Sequence, residues 1–486
     1  MNAYLITILF YLAGLLFVGV WMSRRVKTSD DFMVAGRRLG VPVLVGTLLA
    51  TWIGSGSIIA GAGLAWRNGF AGLWSPSGAW IGILIIFFIA GRARRLAGRT
   101  VPEILETRYN PLARVLSMAV IVLAYTVITS YQFRAGGMIL HLLTGLPLET
   151  GILMTAAFVI AFTALAGMLS VAYTDFVNGL ILTVGILVTL VVVTIQAGGW
   201  GEISARLGPG FFMPVHGEVQ GVMTLNLMLP TLFLLLGESN MYGRFFSART
   251  SNAATWAVGF WLIGVIVVET AVVAIGVAGR ALYPNLGELY PEIQQASEMI
   301  FPHMIVSALH PALGAVLLAA VAAVIVSTAT SFLLTPSTNL VHDFWTRFVR
   351  KDTSDPVKVW LLRGVVIGLG VWAWVQVAFF ENVLQAALYA YTMYGASITP
   401  AVLVAFLWRR ATPAAGAASI IAGMVTTLAW QFWIQPNLDP EGLGAFRAVI
   451  PALLFSTLTL VAVALATKPP EPSKWRPFFR RSDADE

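Results

Sequence analysis

Residues 50–59 read Ala-Thr-Trp-Ile-Gly-Ser-Gly-Ser-Ile-Ile, inside an apolar run long enough to cross a bilayer. Glycine lowers helix stability by about 1 kcal/mol relative to alanine. Here Gly54, Ser55, Gly56 and Ser57 place four poor helix formers in a row. In hydrocarbon an opened helix leaves backbone N–H and C=O groups unpaired, at a cost of several kcal/mol each. Such a break persists where the freed groups face protein, water or a ligand, and carriers use it to bind ions and solutes at mid-bilayer. The stretch therefore predicts a transport protein.

The whole chain agrees with that placement. Of its 486 residues, 58% are hydrophobic and 11% charged, against about 25% charged in soluble domains. The mean hydropathy is +0.81. There is no cysteine, which excludes disulfides and thiolate metal sites. Residues 1–22 lack a basic n-region and are followed by Ser23-Arg24-Arg25, so they read as a first span with its N-terminus outside and not as a signal peptide.

Apolar runs predict an all-α polytopic membrane protein with about thirteen spans, at roughly 4–22, 42–66, 70–91, 112–140, 148–170, 172–197, 221–243, 253–279, 305–335, 359–380, 382–408, 412–435 and 446–467. With the N-terminus outside, 25 of the 30 Lys and Arg residues fall on the cytoplasmic side; Arg67, Arg134, Arg206, Arg280 and Arg447 fall outside. This is the positive-inside asymmetry, with the C-terminus inside. The net charge of +7 is thus a topology signal, and no nucleic-acid partner is expected. No segment reads as a soluble domain. Residues 288–300 are expected to form an external amphipathic helix.

A second polar segment lies in span nine: Val324-Ile325-Val326-Ser327-Thr328-Ala329-Thr330-Ser331. Its four hydroxyls share a helical stripe. They fit interhelical hydrogen bonding, bonding back to the preceding turn, or coordination of a dehydrated sodium ion together with opened-helix carbonyls.

Taken in order, the chain resembles the sodium:solute symporter family that includes the proline, sugar, sialic acid, pantothenate and choline carriers. The resemblance rests on the broken second span, on Ser170-Val171-Ala172-Tyr173-Thr174-Asp175, on Asn240-Met241-Tyr242-Gly243-Arg244-Phe245-Phe246-Ser247-Ala248, and on the span-nine hydroxyls. It implies a leucine-transporter-type fold with a 5+5 inverted-repeat core. Residues 1–41 would be a first helix and loop, 42–197 and 221–410 the repeats (spans two to six and seven to eleven), 411–467 two further spans and 468–486 a cytoplasmic tail. It implies one sodium site from Ala50, Ile53, Val324, Ser327 and Thr328, and a second from Asp175, Thr330 and Ser331. Many members carry Gly-Asp-Gln where this chain has Gly237-Glu238-Ser239, so substrate contacts do not transfer simply.

The substrate is expected beside the break, with Trp52, Gly54, Ser55, Gly56, Ser57, Ser75, Tyr131, Gln132, Glu238 and Asn240 as candidates, and Pro76 and Arg134 behind them. The Trp52 indole face attracts organic cations, or it packs on a neighbouring helix. Glu238 would hold a cationic substrate, pair with Arg244, or take a proton. Glu269, deep in span eight, has only a polar partner within the bundle as its expectation. The histidines show no metal-site spacing.

The expectation is a multi-pass carrier of the plasma membrane, importing a small polar solute (amino acid, betaine or choline type, sugar or carboxylate) with Na+ as coupling ion. No organic cofactor, obligatory protein partner or enzymatic activity is expected. The competing readings are a proton-coupled carrier of the same fold, a channel, and a membrane-embedded enzyme.

Overall fold

The computed structural model describes residues 3–23, 38–96, 100–165, 168–438 and 447–479. Ser170 to Thr174 run within the Met168–Gln196 helix, but their side chains lie outside the described residues, as do Arg24, Arg25, Lys27, Arg37, Arg99, Arg480 and Arg481. Among the described residues, eleven helices are long and apolar enough to cross a membrane. Two shorter apolar helices, at 4–14 and 41–52, add to these. The helices start where local chemistry dictates. Asn110 accepts from Ala113 N–H (2.8 Å) ahead of Pro111–Thr144, Asn382 does the same for Gln385 N–H ahead of Val383–Ser397, and Pro311 and Pro413 occupy first turns.

Among the described residues, three spans are interrupted. Val41–Trp52 stops at Ile53, and the chain resumes as a π-turn, Gly56–Ala60, followed by Gly61–Asn68. Val222–Gly237 is separated from Ser239–Ser247 by Glu238, which has extended backbone dihedrals. Val383–Ser397 gives way to Thr399–Leu407 at Ile398, where Pro400 follows in the first turn. Spans two and three, read separately from the sequence, are joined through a 3-10 turn, Gly69–Leu73. Gly69 adopts φ +64°, and a Cβ there would stand 2.2 Å from the Phe211 carbonyl oxygen, so only glycine fits.

The expected helix at 288–300 does not form. Its residues are split into Leu286–Leu289, an irregular stretch holding Pro291, and the 3-10 turn Ala296–Met299. Proline in a helix interior removes a hydrogen bond and clashes with the preceding turn. Span nine likewise starts later than expected. Ile300–Ala308 is a separate helix, and the long helix is Pro311–Thr338.

The Pro311–Thr338 helix lies at the centre, buried against Pro111–Thr144, Met168–Gln196 and Ala3–Ser23. Val41–Trp52 packs against Met168–Gln196, and Gly179 allows close approach: a Cβ on it would sit 3.4 Å from that of Ala50. Ser251–Leu282 packs along both halves of the first broken helix and along Trp74–Arg95. The two broken helices are also tied end to end. Leu39 N–H donates to Ser247 O (3.1 Å) and Arg249 N–H to Leu39 O (2.9 Å).

Candidate functional site

At the first break the helical bonding pattern is redirected. Ile53 N–H still reaches Leu49 O (2.8 Å), but Gly54 N–H turns to Trp52 O (2.9 Å). Ser55 N–H donates to Gln132 Oε1 (3.3 Å) across the bundle. The amides that a continuous helix would aim at the carbonyls of Ala50 and Thr51 are thus used elsewhere. Ile58 N–H to Gly54 O (3.0 Å) restarts the helix. Glycine at position 54 permits the packing that this requires, because a Cβ there would lie 2.9 Å from Gln132 Nε2 and 3.2 Å from Thr328 Cγ2.

The span-nine hydroxyls meet this break. Ala50, Ile53, Val324, Ser327 and Thr328 are all buried, and Gly54 abuts Thr328. The hydroxyls of Thr51, Ser55, Thr328 and Ser331 are buried without a hydrogen-bond partner. Buried polar atoms are nearly always paired, so these hydroxyls, two of them within three residues of Gly54 and one of them on Thr328 that abuts it, are left with bonding capacity the protein does not use. Ser327 is engaged: its hydroxyl donates to Asp175 Oδ1. Asp175 also accepts from Thr47 Oγ1 (3.2 Å) and pairs with Arg244 Nη2 (3.7 Å). Thr330 Oγ1 accepts from Thr163 (3.1 Å). The two expected ion sites are therefore linked through the Ser327–Asp175 bond.

Beside the break is a pocket that is partly open to solvent. Trp52, Gly56, Ser57, Ser75 and Pro76 line it, together with Thr231, Glu269 and Tyr391. Glu269 accepts three hydrogen bonds, each 2.9 Å long: Trp52 Nε1 and Ser57 Oγ on Oε1, and Trp80 Nε1 on Oε2. The rings of Trp52 and Tyr391 stack with centroids 6.3 Å apart and planes 28° apart. Tyr391 OH meets Tyr131 OH at 3.1 Å, which places Tyr131 behind the pocket wall. Thr231 Oγ1 donates to Ser75 O (2.7 Å), joining the third and seventh spans at the floor.

Three candidates fall elsewhere. Glu238 does not pair with Arg244, which is taken by Asp175. The Glu238 carboxylate accepts from Tyr125 OH and from Met241 N–H (2.8 Å), capping the helix that follows it. A carboxylate at a helix N-terminus meets free amides and the positive end of the dipole, which is why it stays there. Asn240 bonds Thr335 through its side chain and Arg244 through its carbonyl. Arg134 donates to the carbonyls of Val377 (3.0 Å) and Phe380 (2.7 Å) and closes a helix end.

Tyr391 and Thr231, which line the pocket, and Trp80, which bonds Glu269, escaped sequence reasoning, and Glu269 was expected only to have a polar partner within the bundle. Trp80 and Tyr391 are aromatic residues in apolar spans, with nothing in spacing to single them out. Glu269 did carry a signal, as a carboxylate at membrane depth, but its partners lie 189 to 217 residues away in sequence.

The sequence model described as "Sodium:solute symporter family" matches residues 32–425. The chain is 27% identical over 499 residues to the sodium/proline symporter of Salmonella typhimurium, spanning 99% of this chain and 96% of that protein. It is also 27% identical to the high-affinity proline transporter PutP of Bacillus subtilis, spanning 94% of this chain and 96% of that protein. Among solved structures, a Na+-coupled sialic acid symporter in a substrate-bound outward-open state superposes with a TM-score of 0.80 at 19% identity, covering 96% of this chain and 98% of that one. That superposition shows the shared fold.

Proposed function

This chain belongs to the sodium:solute symporter family, a multi-pass plasma-membrane carrier that couples solute movement to sodium, and from that premise we propose how its residues divide the work. The coupling sodium binds at the crossing of the first break and the Pro311–Thr338 helix. The carbonyls of Ala50, Ile53 and Val324 and the hydroxyls of Ser327 and Thr328 are its ligands. The observation that carries this reading is the unpaired, buried Thr328 hydroxyl, which abuts Gly54 where the helix amides have turned away from the Ala50 and Thr51 carbonyls. A hard cation takes oxygen ligands, and neutral ones bind it without fixing it permanently.

The solute binds in the adjoining pocket, so ion and solute share Trp52 to Ser57 as a common wall. Sodium binding orders this wall and closes the solute in from outside; sodium release to the cytoplasm loosens it. The inverted repeats 42–197 and 221–410 supply the moving parts, with Lys and Arg marking the cytoplasmic side. The solute is a small polar molecule; the relatives named above are proline carriers by name. Asp175, Thr330 and Ser331 would hold a second ion, with Arg244 balancing the carboxylate.

The test is uptake into proteoliposomes under an inward sodium gradient at several pH values. Sodium-driven, saturable uptake with exchange of internal for external solute is expected. A pH gradient that drives uptake without sodium would overturn the coupling ion, and a Hill coefficient near one for sodium, unchanged in Asp175→Asn, would remove the second site.

A further inference from the structure

Among the described residues, five carboxylates are buried inside the protein: Asp175, Glu238, Glu269, Glu298 and Asp343. Four have their charge answered by the protein. Asp175 pairs with Arg244, and Asp343 pairs with Arg114. Glu238 caps Ser239–Ser247, and Glu298 accepts from the amides of Val383 (3.1 Å) and Leu384 (3.0 Å) at the start of the Val383–Ser397 helix. Glu269 has neither answer. It sits in the middle of Ser251–Leu282, where backbone amides are already used, and it forms no ion pair.

Its neighbours nevertheless favour the ionised form. An indole N–H donates and never accepts. Trp52 and Trp80 donate to different oxygens of the same carboxylate, and Ser57 adds a third bond. Both oxygens therefore act as acceptors. A buried negative charge supplied with hydrogen bonds but no counter-charge is costly unless a cation arrives. Glu269 also lines the pocket, next to the stacked faces of Trp52 and Tyr391. An aromatic face and a carboxylate together form a receptor for an organic cation. No basic side chain lines the pocket, so nothing in its wall pairs with an anionic solute.

We propose that the solute is a small organic cation, a protonated or alkylated amine whose positive nitrogen sits between Glu269 and the Trp52–Tyr391 faces. This rests on the reading of the pocket as the solute site. It also gives the carrier a reason to hold an unpaired carboxylate: the empty pocket is destabilised by that charge, and the cation relieves it. Sodium, held by neutral oxygens, and the solute, held by Glu269, then occupy adjoining sites.

The test is a thermal-stability screen of the purified full chain in sodium or potassium chloride. The probes are small monocations (choline, ethanolamine, methylguanidine), the neutral choline isostere 3,3-dimethylbutan-1-ol, and zwitterions (proline, glycine betaine). Sodium-dependent stabilisation is expected from at least one cation, with at least tenfold preference over neutral and zwitterionic probes. Glu269→Gln should weaken that cation at least tenfold while keeping the stabilisation by sodium alone, which reports a folded ion site. Trp52→Phe, which retains an aromatic face, should weaken it less. If Glu269→Gln does not fold, the preference of Trp52→Ala and wild type for cation over isostere decides. Sodium-dependent binding of a neutral or zwitterionic probe alone, or one unaltered in Glu269→Gln, would overturn the cation and leave the sodium-coupled pocket standing. Loss of a pH-driven uptake in Glu269→Gln would instead mark the carboxylate as a proton carrier and overturn the proposal. Absence of any sodium effect on any probe would count against the underlying reading itself.

Discussion

The two long helix breaks near the ligand sites differ in how their freed groups are satisfied. At the second, Tyr394 OH donates to Gly237 O (2.6 Å), Tyr242 OH donates to Leu236 O (3.2 Å), Ser239 N–H reaches Tyr125 OH (3.0 Å), and Glu238 caps the new helix. The groups named there are matched by protein, although Asn240 Nδ2 nearby is buried without a partner. At the first break, Gln132 reaches in to Ser55 N–H and Glu269 to Trp52 and Ser57, while the hydroxyls of Thr51, Ser55 and Thr328 are unpaired. The same discontinuity thus serves as a finished joint in one place and as an unfinished one in the other. An unfinished joint in hydrocarbon is tolerable where a ligand completes it.

Substitutions should separate the two. The largest effect on folding is expected from Glu238→Ala, which removes a helix cap and leaves Tyr125 and the helix amides unpaired in a buried site. The cost should be about 2–4 kcal/mol, read as a large loss of thermal stability with no selective change in sodium affinity. Gly237→Ala comes next. Its Cβ would stand 2.5 Å from Thr399 Oγ1 and 3.2 Å from the Thr399 Cα, and backbone does not yield easily. A loss of roughly 1–3 kcal/mol follows from overpacking of this kind. Gly54→Ala should behave differently. It presses on the flexible ends of Gln132 and Thr328, so stability should fall little while the sodium concentration for half-maximal uptake rises several-fold. The smallest effect is expected for Tyr394→Phe, which deletes one hydrogen bond worth about 1 kcal/mol and should leave ion and solute affinities unchanged. A Gly54→Ala protein that unfolds while Gly237→Ala stays stable and loses sodium affinity would reverse the comparison.

Much of the first break was legible in the sequence. Gly54 to Ser57 signalled it through local propensity, and Ser327 to Ser331 signalled a polar stripe through helical spacing. The second break was legible only by resemblance. Leu236-Gly237-Glu238-Ser239 holds two weak helix formers against four at the first break, and the joint is made by Tyr125 and Tyr394, which reach in from other helices. The Ile398 break had only Pro400 to announce it. Glu269 was conspicuous as a charge in an apolar run, yet its role depends on Trp52, Trp80 and Tyr391. These converge through helix packing that no local period encodes. The failed helix at 288–300 shows the converse: amphipathic spacing was present, and Pro291 overrode it.

The central claim is that the first break and the span-nine hydroxyls together hold sodium. It is tested most directly by titrating sodium against the thermal stability of purified wild type and of Ser327→Ala/Thr328→Ala, because a ligand that binds the native state raises stability by mass action and no solute need be known. The account predicts that wild type is stabilised by sodium and not by potassium, and that the double variant needs at least several-fold more sodium for the same shift. Identical sodium titrations for the two proteins would contradict it.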